Sequence, residues 1–169
     1  MNVQIRNEES PDREKIYRIN LAAFPTDAEA KLVDQLRLRA DLCISLVAAR
    51  HDDLIGHLML SPVTLDSATD LNLMGLAPMA VLPEMQNQGI GSLLVTAGLQ
   101  RCQELGIGAV VVLGHPQYYP SFGFVPASQF GISSHYDVPD EVFMAQELIP
   151  DYLAHHSGKI SYHPAFAEL

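Results

Sequence analysis

Gln86-Asn87-Gln88-Gly89-Ile90-Gly91-Ser92 is the stretch that decides how this chain is read. A β-rich segment over residues 71–82 stops at Pro83, a polar loop with two glycines follows, and a helical pattern opens at once. Glycines in such a turn admit positive φ and close backbone approach. The N–H groups of a helix's first turn have no intrahelical partners, and the positive end of the helix dipole adds to their pull on an anion. A pyrophosphate held in this way needs no lysine. The pattern is neither of two familiar phosphate loops, because no Gly-Lys-Ser/Thr follows and no third Gly stands at dinucleotide spacing. Two glycines at a strand–helix junction also make an ordinary tight turn, and spacing alone leaves both readings open.

Working outward, the pattern predicts a helix over residues 89–105. Leu94, Gly98, Cys102 and Leu105 share one side with Val95 and Leu99 beside them, and Gly106 ends it. Ala109-Val110-Val111-Val112-Leu113 is a continuous run of β-formers, the mark of a strand buried on both faces. On the other side, residues 42–50 and 54–63 read as strands joined through His51-Asp52-Asp53. Nearer the start, residues 3–6 form a first strand, and Ser10-Pro11-Asp12 announces a helix with Ser10 as N-cap. Thr26-Asp27-Ala28-Glu29 has the spacing of a capping box, followed by Leu32, Val33, Leu36 and Ala40 at helical period. Past the buried strand come a short helix over 116–122 and strands near 124–126 and 142–148. The order predicts a single α/β domain over residues 1–169 with a mixed sheet.

Composition narrows the function. The 169 residues are 48% hydrophobic and 18% charged, with mean hydropathy +0.10, which suits a packed core and excludes a disordered or low-complexity chain. The longest unbroken apolar run, Ala109 to Leu113, is far short of a membrane span, and Met1-Asn2-Val3-Gln4-Ile5-Arg6 carries no apolar signal core. A cytoplasmic protein is expected. Twenty acids against ten scattered bases give a net charge of -10, so neither nucleic acid nor an anionic membrane is an expected partner. A cationic small substrate or basic peptide fits better. Cys43 and Cys102 lack CxxC spacing and read as free thiols, and the seven histidines show no metal-ligand spacing.

The Q-x-x-G-x-G turn after Met79-Ala80-Val81 resembles motif A of the GNAT N-acetyltransferase superfamily. Leu113-Gly114-His115-Pro116-Gln117-Tyr118-Tyr119-Pro120-Ser121-Phe122-Gly123-Phe124 is similar to that family's Tyr-x-x-x-Gly-Phe segment. The stretches from Phe24 to Arg37 and from Gly75 to Val81 resemble its bacterial, YhbS-like subgroup. Gln86 stands where Arg is commoner in the family. The match runs from the first strand to about Phe124 and weakens past Pro126.

The resemblance implies a GNAT-like acyltransferase fold, with a mixed, mostly antiparallel sheet splayed between two central parallel strands. Acetyl-CoA is the implied cosubstrate, and no metal is implied. Its pyrophosphate would rest on the N–H groups of Gln88, Gly89, Gly91 and Ser92, with Gln86, Asn87 and Ile90 also at the cofactor. Its pantetheine would lie along Met79, Ala80 and Val81, with an N–H near Ala80 or Val81 polarising the thioester carbonyl. Tyr119 would occupy the general-acid position; by itself it also reads as a packed core aromatic. Glu29 reads either as a general base on an inward helix face or as the closing residue of the capping box, with deprotonation through water also open. His115 either contacts the cofactor or opens a turn with Pro116. His57, alternating with Ile55 and Met59, reads as a packed strand residue. Asp137, Asp140 and Glu141 read as a solvated acidic cluster. The implied activity is direct acetyl transfer from acetyl-CoA to a primary amine of a small molecule or peptide. A non-catalytic acyl-CoA-binding or regulatory module is the alternative. The acceptor's identity and the oligomeric state, a homodimer included, stay open.

Overall fold

The computed structural model describes residues 2–168. Its elements are β1 (Gln4–Asn7), α1 (Arg13–Ala23), α2 (Ala28–Arg39), β2 (Ile44–Arg50), β3 (Asp53–Leu65), β4 (Ala68–Val81), α3 (Ile90–Glu104), β5 (Ala109–Leu113), β6 (Val125–Pro126), β7 (Ile132–Ser134), β8 (Phe143–Glu147) and β9 (Gly158–Ser161). This is an α/β fold with a mixed sheet. The chain forms two compact units: one from the stretches up to Ser61, Ala77–Gly98 and from Pro164 on, the other from Pro62–Leu76 and Leu99–His163.

In the first unit β1, β2 and the start of β3 form an antiparallel meander, Ile5 opposite Ala48 and Val47 opposite His57. The hairpin turn places His51 at φ 58. Ile16 and Ile19 of α1 and Leu32, Val33 and Leu36 of α2 bury against Val47, Leu54, Met59 and Ala80. Each fully buried side chain of this size contributes roughly 1.5–3 kcal/mol. On α3, Gly98 permits close packing, because a Cβ there would stand 2.7 Å from Leu58 Cδ2.

In the second unit β4 pairs in parallel with β5, Leu73 opposite Ala109 and Gly75 opposite Val111. The pairing runs to Gly75, while β4 continues to Val81. β5 pairs antiparallel with β8, and β8 with β6. Ala109, Val110, Val111 and Val112 are all at most 1% exposed, as expected of a strand covered on both faces.

Three local expectations are corrected. Ser10 is not the N-cap: Ser10–Asp12 is a 3-10 turn with Glu9 before it, and the Glu9 N–H donates to Asp12 Oδ2 at 2.8 Å. A carboxylate already anchored by Arg6 at 2.7 Å is the stronger acceptor. The capping box at α2 does not form: Asp27 is the N-cap, and Thr26 Oγ1 accepts from the Ala28 N–H at 3.3 Å. Leu105 is 40% exposed, because α3 ends at Glu104 and the chain turns at Gly106, φ 75; Ile107 takes the buried place. Strands β7 and β9, absent from the sequence reading, pair with each other in parallel, and β9 also pairs with β3.

Candidate active site

The turn lies in the first unit. Met79 and Val81 of β4 are half-buried while Ala80 between them is 2% exposed, so the strand's alternation sends Ala80 into the core. The Leu82 N–H donates to the Ile55 carbonyl at 3.0 Å, fixing the end of β4. A 3-10 turn, Pro83–Met85, follows and anchors the buried Met85. Gln86, Asn87, Gln88 and Gly89 are all exposed. Asn87 (φ 62) and Gly89 (φ 83) are both left-handed, and a Cβ at Gly89 would meet nothing within 4 Å. The Leu93 N–H to Gly89 carbonyl bond, 3.1 Å, starts the helical ladder, so the N–H groups of Ile90 and Gly91 precede the first intrahelical bond.

Two further details shape the turn. The Gln86 side-chain amide donates to the Val81 carbonyl at 3.0 Å, folding the motif's first residue back on the strand. Gly91 lies inside α3, so the positive φ expected of the turn glycines belongs to Gly89 alone, and Asn87 supplies the second left-handed position. Asn tolerates that region better than other side chains, which was the only sequence signal for it. The turn is therefore open around Gly89 and leaves the Ile90 and Gly91 N–H groups ahead of the helical ladder.

Glu29, also in the first unit, sits in the first turn of α2 and is half-buried. Its Oε1 is buried and has no hydrogen-bond partner among the described residues. A carboxylate oxygen left so is costly unless something charged or polar comes to it. With the capping box unformed, the cap reading loses its geometry.

His115 and Tyr119 lie in the second unit. His115 is exposed, and its carbonyl accepts from the N–H groups of Tyr118 (3.1 Å) and Tyr119 (3.4 Å), closing the turn that Pro116 occupies. Tyr119 is 7% exposed and opens the 3-10 turn Tyr119–Phe122. Its ring meets Tyr118 edge-on with centroids 5.1 Å apart, and Phe124 at 5.7 Å. Burial, with a smaller push from Tyr118, moves its phenol up to about 12, so it stays protonated at neutral pH. Gly123 has φ 98, and a Cβ there would stand 2.7 Å from Gln146 Nε2, which explains a glycine in the segment.

His57 is fully buried in the first unit, its Nε2 2.9 Å from Ser45 Oγ. Ser45 donates to Glu8, and Glu8 takes two 2.7 Å hydrogen bonds from Arg37. Residues so far apart in sequence gave no sign of this network. Burial holds the His57 imidazole down to about 4, so it is neutral and structural. Cys43 and Cys102 are free thiols, both raised by burial, Cys102 to about 12. Among the described residues no three His, Cys, Asp or Glu side chains gather as a metal site, and no helix is long and apolar enough to cross a membrane.

A strand that ends in an open, left-handed turn and feeds a buried helix, in an α/β frame with a parallel strand pair, is the arrangement that the resemblance to the GNAT acyltransferases implies. The chain belongs to the acetyltransferase (GNAT) family, whose model matches residues 5–124. It is 36% identical over 163 residues to YhbS, an uncharacterized N-acetyltransferase of Escherichia coli strain K12, covering 96% of this chain and 97% of that one. The crystal structure of Escherichia coli YhbS in complex with CoA matches with TM-score 0.93 at 34% identity, covering 99% of this chain and 93% of that one. A GNAT family acetyltransferase from Brucella melitensis, in complex with acetyl-CoA, matches with TM-score 0.80 at 30% identity, covering 98% of each.

Proposed function

We propose that this chain is a single N-acetyltransferase domain of the bacterial cytoplasm, which moves the acetyl group of acetyl-CoA directly to the amine of a cationic small molecule or peptide. The open turn at Asn87–Gly91 carries the reading, supported by similarity to two proteins whose structures hold CoA or acetyl-CoA. Bound acetyl-CoA would supply an activated acetyl thioester.

The residues fit that group. Backbone N–H groups from Gln88 to Ser92 hold the pyrophosphate without a lysine, as an acidic protein requires, with Gln86, Asn87 and His115 beside the cofactor. The backbone of Met79, Ala80 and Val81 takes the pantetheine as an added strand, and an N–H at Ala80 or Val81 polarises the carbonyl. The Glu29 carboxylate takes a proton from the acceptor's ammonium, freeing the nitrogen lone pair. As the new C–N bond forms and the C–S bond breaks, Tyr119 Oη gives its proton to the departing sulfur, and the second proton shed by the nitrogen restores the Tyr119 hydroxyl. The net charge of -10 and the buried Glu29 oxygen both favour a cationic acceptor.

Calorimetry with CoA and acetyl-CoA, without amine, tests the first half of this reading. Saturable binding of both is expected. Failure of both to bind would remove the role of the turn.

A further inference from the structure

A cavity of about 370 Å³ opens beside the segment that feeds the phosphate turn, at the small end of ligand pockets. Its floor is apolar, made by Ile55 and Leu82, with the buried Met85 next to them. Its wall is basic: Lys15 and Arg18 of α1 and Arg50 at the end of β2 all face it.

This clustering is unusual for the chain. Among the described residues, ion pairs take every Lys and Arg except Lys15, Arg50 and Lys159, and two of those three line this one cavity. Arg50 is half-buried. Asp53 lies opposite it in the β2–β3 ladder and also lines the cavity, as does Glu84, yet neither comes within ion-pair distance of Arg50. An arginine with no ion-pair partner among the described residues, on an apolar-floored cavity in a protein with twice as many acids as bases, marks a place for an incoming anion. Lys15 has a backbone contact only, its Nζ 3.4 Å from the Asp52 carbonyl.

We propose that this cavity binds a small amphipathic anion, one carboxylate or phosphate on a compact apolar body, as a ligand separate from both acyl donor and amine acceptor. The anionic group pairs with Arg50 and Lys15, and the apolar body covers Ile55, Leu82 and Met85. The occupant then rests against the Pro83–Met85 turn, whose Met85 N–H donates to the Leu82 carbonyl at 2.8 Å and which leads directly into Gln86. The site so reports to the cofactor turn through one short stretch of backbone. It does not depend on acetyl transfer.

Benzoate and phenyl phosphate are the probes, with benzylammonium as the charge-reversed control, titrated by calorimetry into the full chain with and without saturating CoA. Binding of benzoate or phenyl phosphate in both conditions is expected, weakened roughly 10- to 100-fold in Arg50→Gln as a lost charge-assisted contact requires. Arg50→Lys should recover part of the affinity, and Lys15→Gln, at an exposed position, repeats the test if Arg50→Gln fails to fold. Absence of binding by both probes, equal binding of benzylammonium, or unchanged affinity in the folded variants would overturn the proposal. Loss of binding on CoA saturation would overturn it too, since the cavity would then belong to the cofactor's own phosphates.

Discussion

The ring of Tyr119 fills the space that a side chain at residue 114 would need: a Cβ built on Gly114 collides with Tyr119 Cε2. Gly114 follows β5 directly, so the strand's end and the aromatic ring fix one another. A glycine that looks incidental in the sequence thereby holds the proposed general acid in place.

Tyr119→Phe keeps that packing and removes only the hydroxyl. Turnover is expected to fall roughly 10²–10⁴-fold with CoA affinity nearly unchanged. Gly114→Ala should lower turnover in the same direction by displacing the ring. With the phenol raised to about 12, the wild-type rate should level off and show no fall up to about pH 10. Steady-state kinetics against pH checks all three, and wild-type turnover in Tyr119→Phe would reduce the residue to a packed aromatic.

Gly89→Val forces a β-branched residue into φ 83, a strain of roughly 1–3 kcal/mol, although the space around it is empty. CoA affinity is expected to drop at least about tenfold while circular dichroism shows the fold intact. Unchanged affinity in a folded variant would take the pyrophosphate away from this turn.

Part of this was legible in the sequence. α3, β5 and the turn between β4 and α3 stand out because long apolar periodicity and paired glycines are local signals. β7 and β9 pair with each other in parallel, and β9 with β3, partnerships that no local pattern announces. The helix starts differ by a residue or two, because the Asp12 carboxylate takes the Glu9 N–H ahead of α1 and Thr26 caps only locally, through the Ala28 N–H. The members of the Glu8–Ser45–His57 chain lie far apart in sequence, as does Arg50 of β2 from Lys15 and Arg18 of α1. Only folding brings them together.

The buried histidine sets the acid limit of stability. His57 sits at about 4 in the fold against an ordinary 6.5 once unfolded, so below pH 6.5 the unfolded chain binds the extra proton. Its contribution is complete above pH 6.5 and is lost as pH falls toward 4, about 3 kcal/mol in all. Glu8 adds to the loss lower down: burial raises its carboxyl, but hydrogen bonds from Arg37 and Ser45 and the Arg37 charge leave it below its usual value. Denaturant melts between pH 7 and 4 should show the slope, and His57→Gln should flatten it. A wild-type curve level from 7 to 4.5 would mean the ring is not buried neutral.

Glu29 closes no capping box, so Glu29→Gln should not cost the ~1 kcal/mol that loss of a cap does. Turnover with cationic acceptors should fall roughly 10²-fold or more, and kcat/KM of the wild type should decrease as salt rises. A variant that loses melting temperature but keeps its rate would return Glu29 to a structural role.

The most direct measurement of the whole account is release of free CoA thiol from acetyl-CoA, followed with a panel of diamines, basic peptides and acidic amino acids. Thiol release that requires an amine and runs faster with the cationic acceptors is expected. Saturable CoA binding with no amine-dependent thiol would contradict it, and would make the chain an acyl-CoA-binding module on an acetyltransferase fold.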